Sequence, residues 1–360
     1  MTAVAADMTF PALRGRQGDR EFFVLLPTNA HLLEHFTPDV EPHDQSAQRA
    51  VVQKHADGIR DYILENRGEF VLGALTYAID EVASFEPVAP GSSIGELTLA
   101  AATPVRSIDG QHRRLGIAAA LETSGDLAGD GIAVVLYVED DLGKRRQMFS
   151  DMNWTPRKVS ASQNVAFDSR DPFSRAVRRI VQIHPLLQAR VESELATVRR
   201  GSAKFYTLGA VYDACRRLML GPNGKIKSKS SCEEDEIVDR SQRFFDMLVA
   251  ARPELISMES QEALDEFRKQ SILVSSTTLR VLAGATYQCI DKHRKDGTAF
   301  QISDLTSPLS EVDFTPSAEL WRTAGFVSEG KSTPNARAQE VALATNLLAG
   351  RLMGLRPDED

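Results

Sequence analysis

The stretch richest in chemistry is Ser107-Ile108-Asp109-Gly110-Gln111-His112-Arg113-Arg114. Asp109-Gly110 reads as a turn, because glycine takes backbone angles that other residues avoid. Leu115, Ile117, Ala118 and Leu121 follow at helical spacing, so the turn opens a helix. The first turn of a helix offers unpaired N–H groups and the positive end of the helix dipole. Gln111, His112, Arg113 and Arg114 add donors and cations at that point, and the segment suits a phosphate or other anion. The plainer reading is a capped helix start, with Asp109 as N-cap and surface arginines beside it. His112 is then a phosphate ligand or a donor at the helix start. No second His or Cys stands at ligand spacing, so no metal is expected on it.

Two other sets of residues carry chemical potential. Asp151 and Asn153, with Asp168 and Asp171, supply oxygens of the kind Mg²⁺ takes, and Arg170 is a supporting polar residue; the competing role is helix capping and pairing with arginine. Between Arg170 and Lys204 eight basic residues stand against three acidic ones, the largest basic excess on the chain. Arg175, Arg178 and Arg179 share one helix face at i, i+3 and i+4. With Arg199, Arg200, Lys204 and the distant Lys331 they are candidate contacts to DNA phosphates, against a solvated face bridged to acidic neighbours. Gly325-x4-Gly330-Lys331-Ser332 satisfies the P-loop pattern formally. Trp321-Arg322-Thr323-Ala324 before it is not a buried strand, so no P-loop is expected.

The elements that must position these residues follow from periodicity. Glu21–Leu26, Phe70–Ile79, Val105–Ile108 and Ile132–Val138 read as strands, the second and fourth apolar enough to be buried on both faces. Gln48–Leu64 reads as a helix in which His55 is a satisfied helix residue rather than a ligand. A helix runs from the Gly110 turn to about Ser124, and another spans Gly143–Asn153. Strand, turn, helix, strand, helix is a compact α/β unit. From Pro172 the pattern is helical: Ser174–Arg200, kinked or divided at Pro185, then Leu208–Leu220, Glu233–Ile256, Ser271–His293 and Ala336–Met353. Ser275-Ser276-Thr277-Thr278 should break or cap that series. The fold class is α+β, with an α/β domain over residues 10–165 and a mainly α-helical domain over 170–355.

Composition bounds the function. The 360 residues are 42% hydrophobic and 26% charged, as in a soluble globular protein. No run approaches the roughly 20 apolar residues of a membrane helix. The first residues lack the basic flank of a signal peptide. Cys215, Cys232 and Cys289 are far apart, which fits buried or incidental thiols in a reducing cytoplasm. A net charge of −8 excludes a uniformly basic nucleic-acid coat. Any DNA contact must come from local patches and be salt-sensitive.

Asp109-Gly110-Gln111-His112-Arg113 reads letter for letter as the signature of the DGQHR-domain family. Within it the chain resembles the DndB proteins of bacterial DNA phosphorothioation systems. The likeness also covers Phe10–Gly15, Met148–Asn153, Phe167–Pro172, Ser275–Leu279 and Ser328–Asn335, most of the chain. It implies a cytoplasmic, DNA-binding repressor of modification genes, with double-stranded promoter DNA as partner, other modification-system proteins beside it and a homo-oligomeric state. The alternative it implies is a nucleotide-binding or nucleotide-hydrolysing component of a DNA-modification complex, using a nucleoside triphosphate with Mg²⁺; a scaffold role is the third. The Gly-x-x-Arg turn leading a helix is similar to that of the ParB N-terminal domain and of sulfiredoxin. Sulfiredoxin has a reactive cysteine where this chain has Gln111, so thiol repair is not implied. In ParB the matching arginines hold a nucleoside triphosphate, which is the role implied for Arg113 and Arg114.

Overall fold

The computed structural model describes residues 7–36, 53–82, 84–101, 103–154, 159–199, 201–222 and 232–355. Arg200 and the Lys/Ser-rich run 225–231 lie outside the described residues, as do Val51 and Val52 of the expected helix. The chain divides into two compact units between residues 157 and 158. It is an α+β protein: a mixed sheet with helices, then a helical unit.

In the first unit, β1 (Met8–Gln17), β2 (Arg20–Leu25), β3 (Leu75–Ile79), β4 (Ser84–Pro87), β5 (Ile94–Leu99), β6 (Arg106–Asp109) and β7 (Val134–Val138) form one sheet. Its order is β4-β5-β1-β2-β7-β3-β6. Only β3 and β7 run parallel; the other pairings are antiparallel. Alternation along the strands sends side chains to both faces. Leu75, Tyr77, Ile79, Val134 and Leu136 join one buried cluster, with Phe36, Ile63, Ile117 and Ala120 from α1 (Asn29–His35), α2 (Gln53–Glu65), α3 (Gln111–Thr123) and their flanks. Ala78, Ile108 and Tyr137 meet Met148 of α4 (Leu142–Trp154) on the other face.

The α/β order expected around the Gly110 turn is present as β6, α3, β7, α4. It is not a parallel crossover unit, because β3 separates β6 from β7 and β6 runs antiparallel to β3. The strand expected from Phe70 starts only at Leu75. Phe70 instead closes a turn by donating its N–H to the Asn66 carbonyl (2.9 Å), and Val71 N–H donates to the Tyr62 hydroxyl (3.0 Å).

The second unit holds α5 (Ala161–Phe167), α6 (Pro172–Ile183), α7 (Pro185–Arg190), α8 (Leu208–Leu220), α9 (Glu234–Ala251), α10 (Glu254–Ser257), α11 (Gln261–Gln270), α12 (Ser276–Asp296), α13 (Thr306–Ser310), α14 (Glu319–Thr323) and α15 (Ala338–Leu352). Two short parallel strands, β8 (Val191–Glu192) and β9 (Tyr206–Thr207), lie between α7 and α8. The helical run expected over 174–200 is divided at Pro185, since His184 precedes the proline and takes an extended backbone, and it ends at Arg190 rather than Arg200. The serine-threonine run does cap a helix: the Ser275 side chain accepts from Thr277 N–H and opens α12. α12 is the core element, buried along Leu279, Leu282, Ala283, Ala285 and Cys289 and packed on α8 and α15. Gly284 lets α15 approach, since a Cβ there would lie 2.9 Å from Thr345 Cγ2.

Candidate functional site

Gly110 has φ +101°, a left-handed conformation that L side chains rarely adopt. A Cβ there would also stand 2.4 Å from Leu75 Cδ2. Gly110 is itself the N-cap of α3, and no side chain caps the helix. The Asp109 carboxylate does not take the capping role open to it. It accepts from the Arg113 guanidinium at 2.5 Å, one helical turn on. The first N–H groups of α3 are thus left without a side-chain cap, and the Asp109–Arg113 ion pair stands at the same turn.

Arg113 is held by shape as well as charge. Its guanidinium lies where a Cβ on Gly73 would sit, with Nη1 at 2.7 Å from that position. A side chain at position 73 would have to displace that guanidinium. Tyr77, fully buried on β3, lies within electrostatic reach of Arg113 and Arg114. Burial pushes the Tyr77 hydroxyl up to about 12, against the pull of the two arginines, so it stays protonated at neutral pH. The His112 ring meets the exposed His55 of α2 edge-on, with centroids 5.4 Å apart. Gly116 permits that approach of α2 and α3, since a Cβ there would stand 2.5 Å from Ile59 Cγ2.

Arg114 points elsewhere. It is buried and donates from Nε to the Phe36 carbonyl and from Nη2 to the Leu33 carbonyl (3.1 Å). Those carbonyls close α1, so Arg114 anchors the fold. Burial lowers its pKa, with Tyr77 opposing. The side chains grouped at the turn are therefore Asp109, His112 and Arg113, with Gln111 half-buried beside them.

The carboxylate set works as caps and turns. Asp171 caps α6, accepting from Ser174 N–H (3.0 Å) and the Ser174 hydroxyl (2.8 Å). Asp168 accepts from the N–H groups of Arg170 (2.9 Å) and Asp171 (3.0 Å). Asp151 accepts from Gln147 (2.6 Å), and Asn153 donates to the Phe149 carbonyl (2.8 Å). Asp151 and Asn153 belong to the first unit, Asp168, Arg170 and Asp171 to the second.

The arginine face of α6 is engaged internally. Arg175 Nε donates to Glu234 at 2.7 Å, and Arg179 pairs with Asp235 at 2.5 Å. Arg178 donates to the Val165 (2.6 Å) and Asp168 (2.7 Å) carbonyls. Linear sequence hid this, because Glu234 and Asp235 lie nearly sixty positions on. Lys204 donates to the Gln188 carbonyl (3.1 Å) and Lys331 is exposed; neither makes an ion pair among the described residues. Before Gly330-Lys331-Ser332 stands the short helix α14, not a strand, so the P-loop pattern lacks its context as expected.

The neighbours that complete the turn, Gly73, Leu75 and Tyr77, had no motif to flag them. Their signal is a steric one, which exists only once β3 lies beside β6. A family model described as DndB, DNA-sulfur modification-associated, matches residues 10–354. No curated protein and no solved structure matches the chain.

Proposed function

The chain belongs to the DndB family of DNA-sulfur modification-associated proteins, and on that premise we propose that it is a DNA-binding regulator of the genes of such a system, working in the cytoplasm on double-stranded promoter DNA. The phosphate site of this reading is the Gly110 turn, and the observation that carries it is the α3 N-terminus: a left-handed glycine, no side-chain cap, and Arg113 fixed beside it by Asp109 and Gly73. Arg113 and His112 supply charged and polar donors to a phosphate there, and the Gln111 amide adds one more. The finer DNA contacts in the helical unit fall to the exposed Lys331 and to Lys204, whose ammonium gives one of its three donors to the Gln188 carbonyl, because Arg175, Arg178 and Arg179 already satisfy carboxylates and carbonyls. Other modification-system proteins and further copies of the chain are its proposed partners.

A second reading is favoured by the same uncapped turn: a nucleotide-binding component, in which the phosphate belongs to a nucleoside triphosphate with Mg²⁺. The likeness of the turn to ParB motivates it. One preparation decides between them, with a promoter-shift assay run beside calorimetry with ATP. Arg113→Ala weakens promoter binding in the first case and ATP binding in the second; unchanged binding of both removes the turn from either role.

A further inference from the structure

The helical unit holds a cleft of about 890 Å³, within the range of roughly 300–1,000 Å³ usual for small-molecule sites. Four stretches distant in sequence build it: α5 to the start of α6, residues 196–199 with 205–213, residues 268–280, and Ser332 to Pro334. Three of the segments that carry the family likeness, Phe167–Pro172, Ser275–Leu279 and Ser328–Asn335, contribute lining residues.

Its lining carries one more cation than anion. Arg199, Arg268 and Arg280 line it, against Asp168 and Asp213. Asp168 is occupied by backbone N–H groups, and Asp213 is paired with Arg280 Nε at 2.9 Å. Arg268 is fixed by Asp265 (2.7 Å), which offsets its charge, and by the carbonyls of Ser202 and Lys204. Arg199 is exposed and has no ion pair among the described residues. The α8 and α12 helices, 13 and 21 residues long, both begin at this cleft, at Thr207 and Ser275, and add their positive ends. Hydroxyls of Ser276, Ser332 and Thr333 supply neutral donors. Ile272, Val274 and the ring of Tyr212 give the wall an apolar part.

We propose that this cleft is a second anion site, distinct from the Gly110 turn, that binds a phosphorylated small molecule of nucleotide size, the phosphates toward Arg199 and Arg280 and an aromatic base on the apolar wall. The proposal does not depend on the role of the turn, because its residues lie wholly in the other unit.

The test is calorimetry of the full chain with ATP and, separately, inorganic tripolyphosphate. Arg199→Ala and Ser332→Asp alter exposed side chains and leave the fold intact, which circular dichroism checks. Saturable ATP binding that is weakened about tenfold or more by each variant, the worth of one charge-assisted hydrogen bond, and untouched by Arg113→Ala, is the result expected. ATP should also bind more tightly than tripolyphosphate, since only ATP uses the apolar wall. No ATP binding at millimolar concentration overturns the proposal. So does binding that Arg113→Ala abolishes while both cleft variants retain it, and equal affinity for the two probes overturns the nucleotide-sized ligand.

Discussion

The two units place their arginines by opposite means. At the Gly110 turn one short segment supplies the glycine, the carboxylate and the guanidinium, and Arg113 meets Asp109 one helical turn away. In the helical unit, the arginines that crowd together in sequence, Arg175, Arg178 and Arg179, are consumed by internal bonds. Those that stand far apart, Arg199, Arg268 and Arg280, come together around a cleft, where Arg268 and Arg280 are likewise paired, with Asp265 and Asp213, and only Arg199 makes no ion pair among the described residues. A dense run of charge in sequence is thus a poor guide to where charge is available. What counts is which carboxylates and carbonyls the fold brings alongside, and an acidic chain brings many.

The contrast can be broken first at the turn. Gly110→Val forces a β-branched residue into a left-handed backbone and against Leu75. Backbone strain and overpacking together are expected to cost about 3 kcal/mol. Thermal melts check it, and an unchanged melting temperature would show that the turn tolerates a side chain.

Arg113→Ala should act on binding instead. Loss of one charge-assisted hydrogen bond to phosphate weakens the ligand by about 1.5–3 kcal/mol, with the melting temperature nearly kept. Asp109→Ala should have a smaller effect of the same kind. Its carboxylate is half-exposed and steers Arg113 rather than capping α3. The sequence favours a folding defect for this variant; the geometry favours a binding one, and paired melts and titrations separate them.

The triple change of Arg175, Arg178 and Arg179 to alanine sharpens the other side of the comparison. Two exposed or half-exposed ion pairs contribute little, on the order of 0–1 kcal/mol each. Arg178 adds bonds to two carbonyls that tie α5 to α6. A stability loss of about 1–3 kcal/mol is expected from these terms, with the slope of log affinity against log salt for DNA unchanged. Lys204→Ala with Lys331→Ala should flatten that slope by roughly 0.9 per lost contact. A flattened slope in the arginine variant would return those residues to the DNA surface.

The smallest effect concerns pH. His184 is buried, its Nδ1 has no hydrogen-bond partner among the described residues, and Nε2 lies 3.3 Å from Asp246. Burial pulls its pKa below the ordinary 6.5, outweighing Asp246. The unfolded chain therefore binds the proton first as pH falls. Stability from this group is complete above about pH 6.5 and is lost below it as the folded value is approached. His184→Phe should remove that part of the acid slope in pH-dependent melts; an identical slope would mean the ring titrates alike in the folded and unfolded states.

Much of this was legible in the residues. The Gly110 turn, its helix, the buried strand after it and the helical second half follow from periodicity and turn chemistry, as do the Ser275 cap and the buried thiols Cys215 and Cys289. What could not be read is non-local. β1 runs from Met8 to Gln17 because its first half pairs with β5 and its second half with β2, and the β5 partner is invisible in a ten-residue window. Arg114 looks like a second phosphate ligand until α1 presents its last carbonyls. Gly73 is unremarkable in sequence, and its missing side chain is what leaves room for Arg113.

The most direct test of the regulatory reading is an anisotropy titration of the DNA upstream of the chain's own gene, against unrelated DNA of equal length, at fixed salt. The account predicts a preference for the upstream DNA of roughly a thousandfold or more and, with Arg113→Ala, about tenfold weaker binding or worse. Equal affinity for both DNAs, or an Arg113→Ala chain that binds as tightly as the parent, would contradict it.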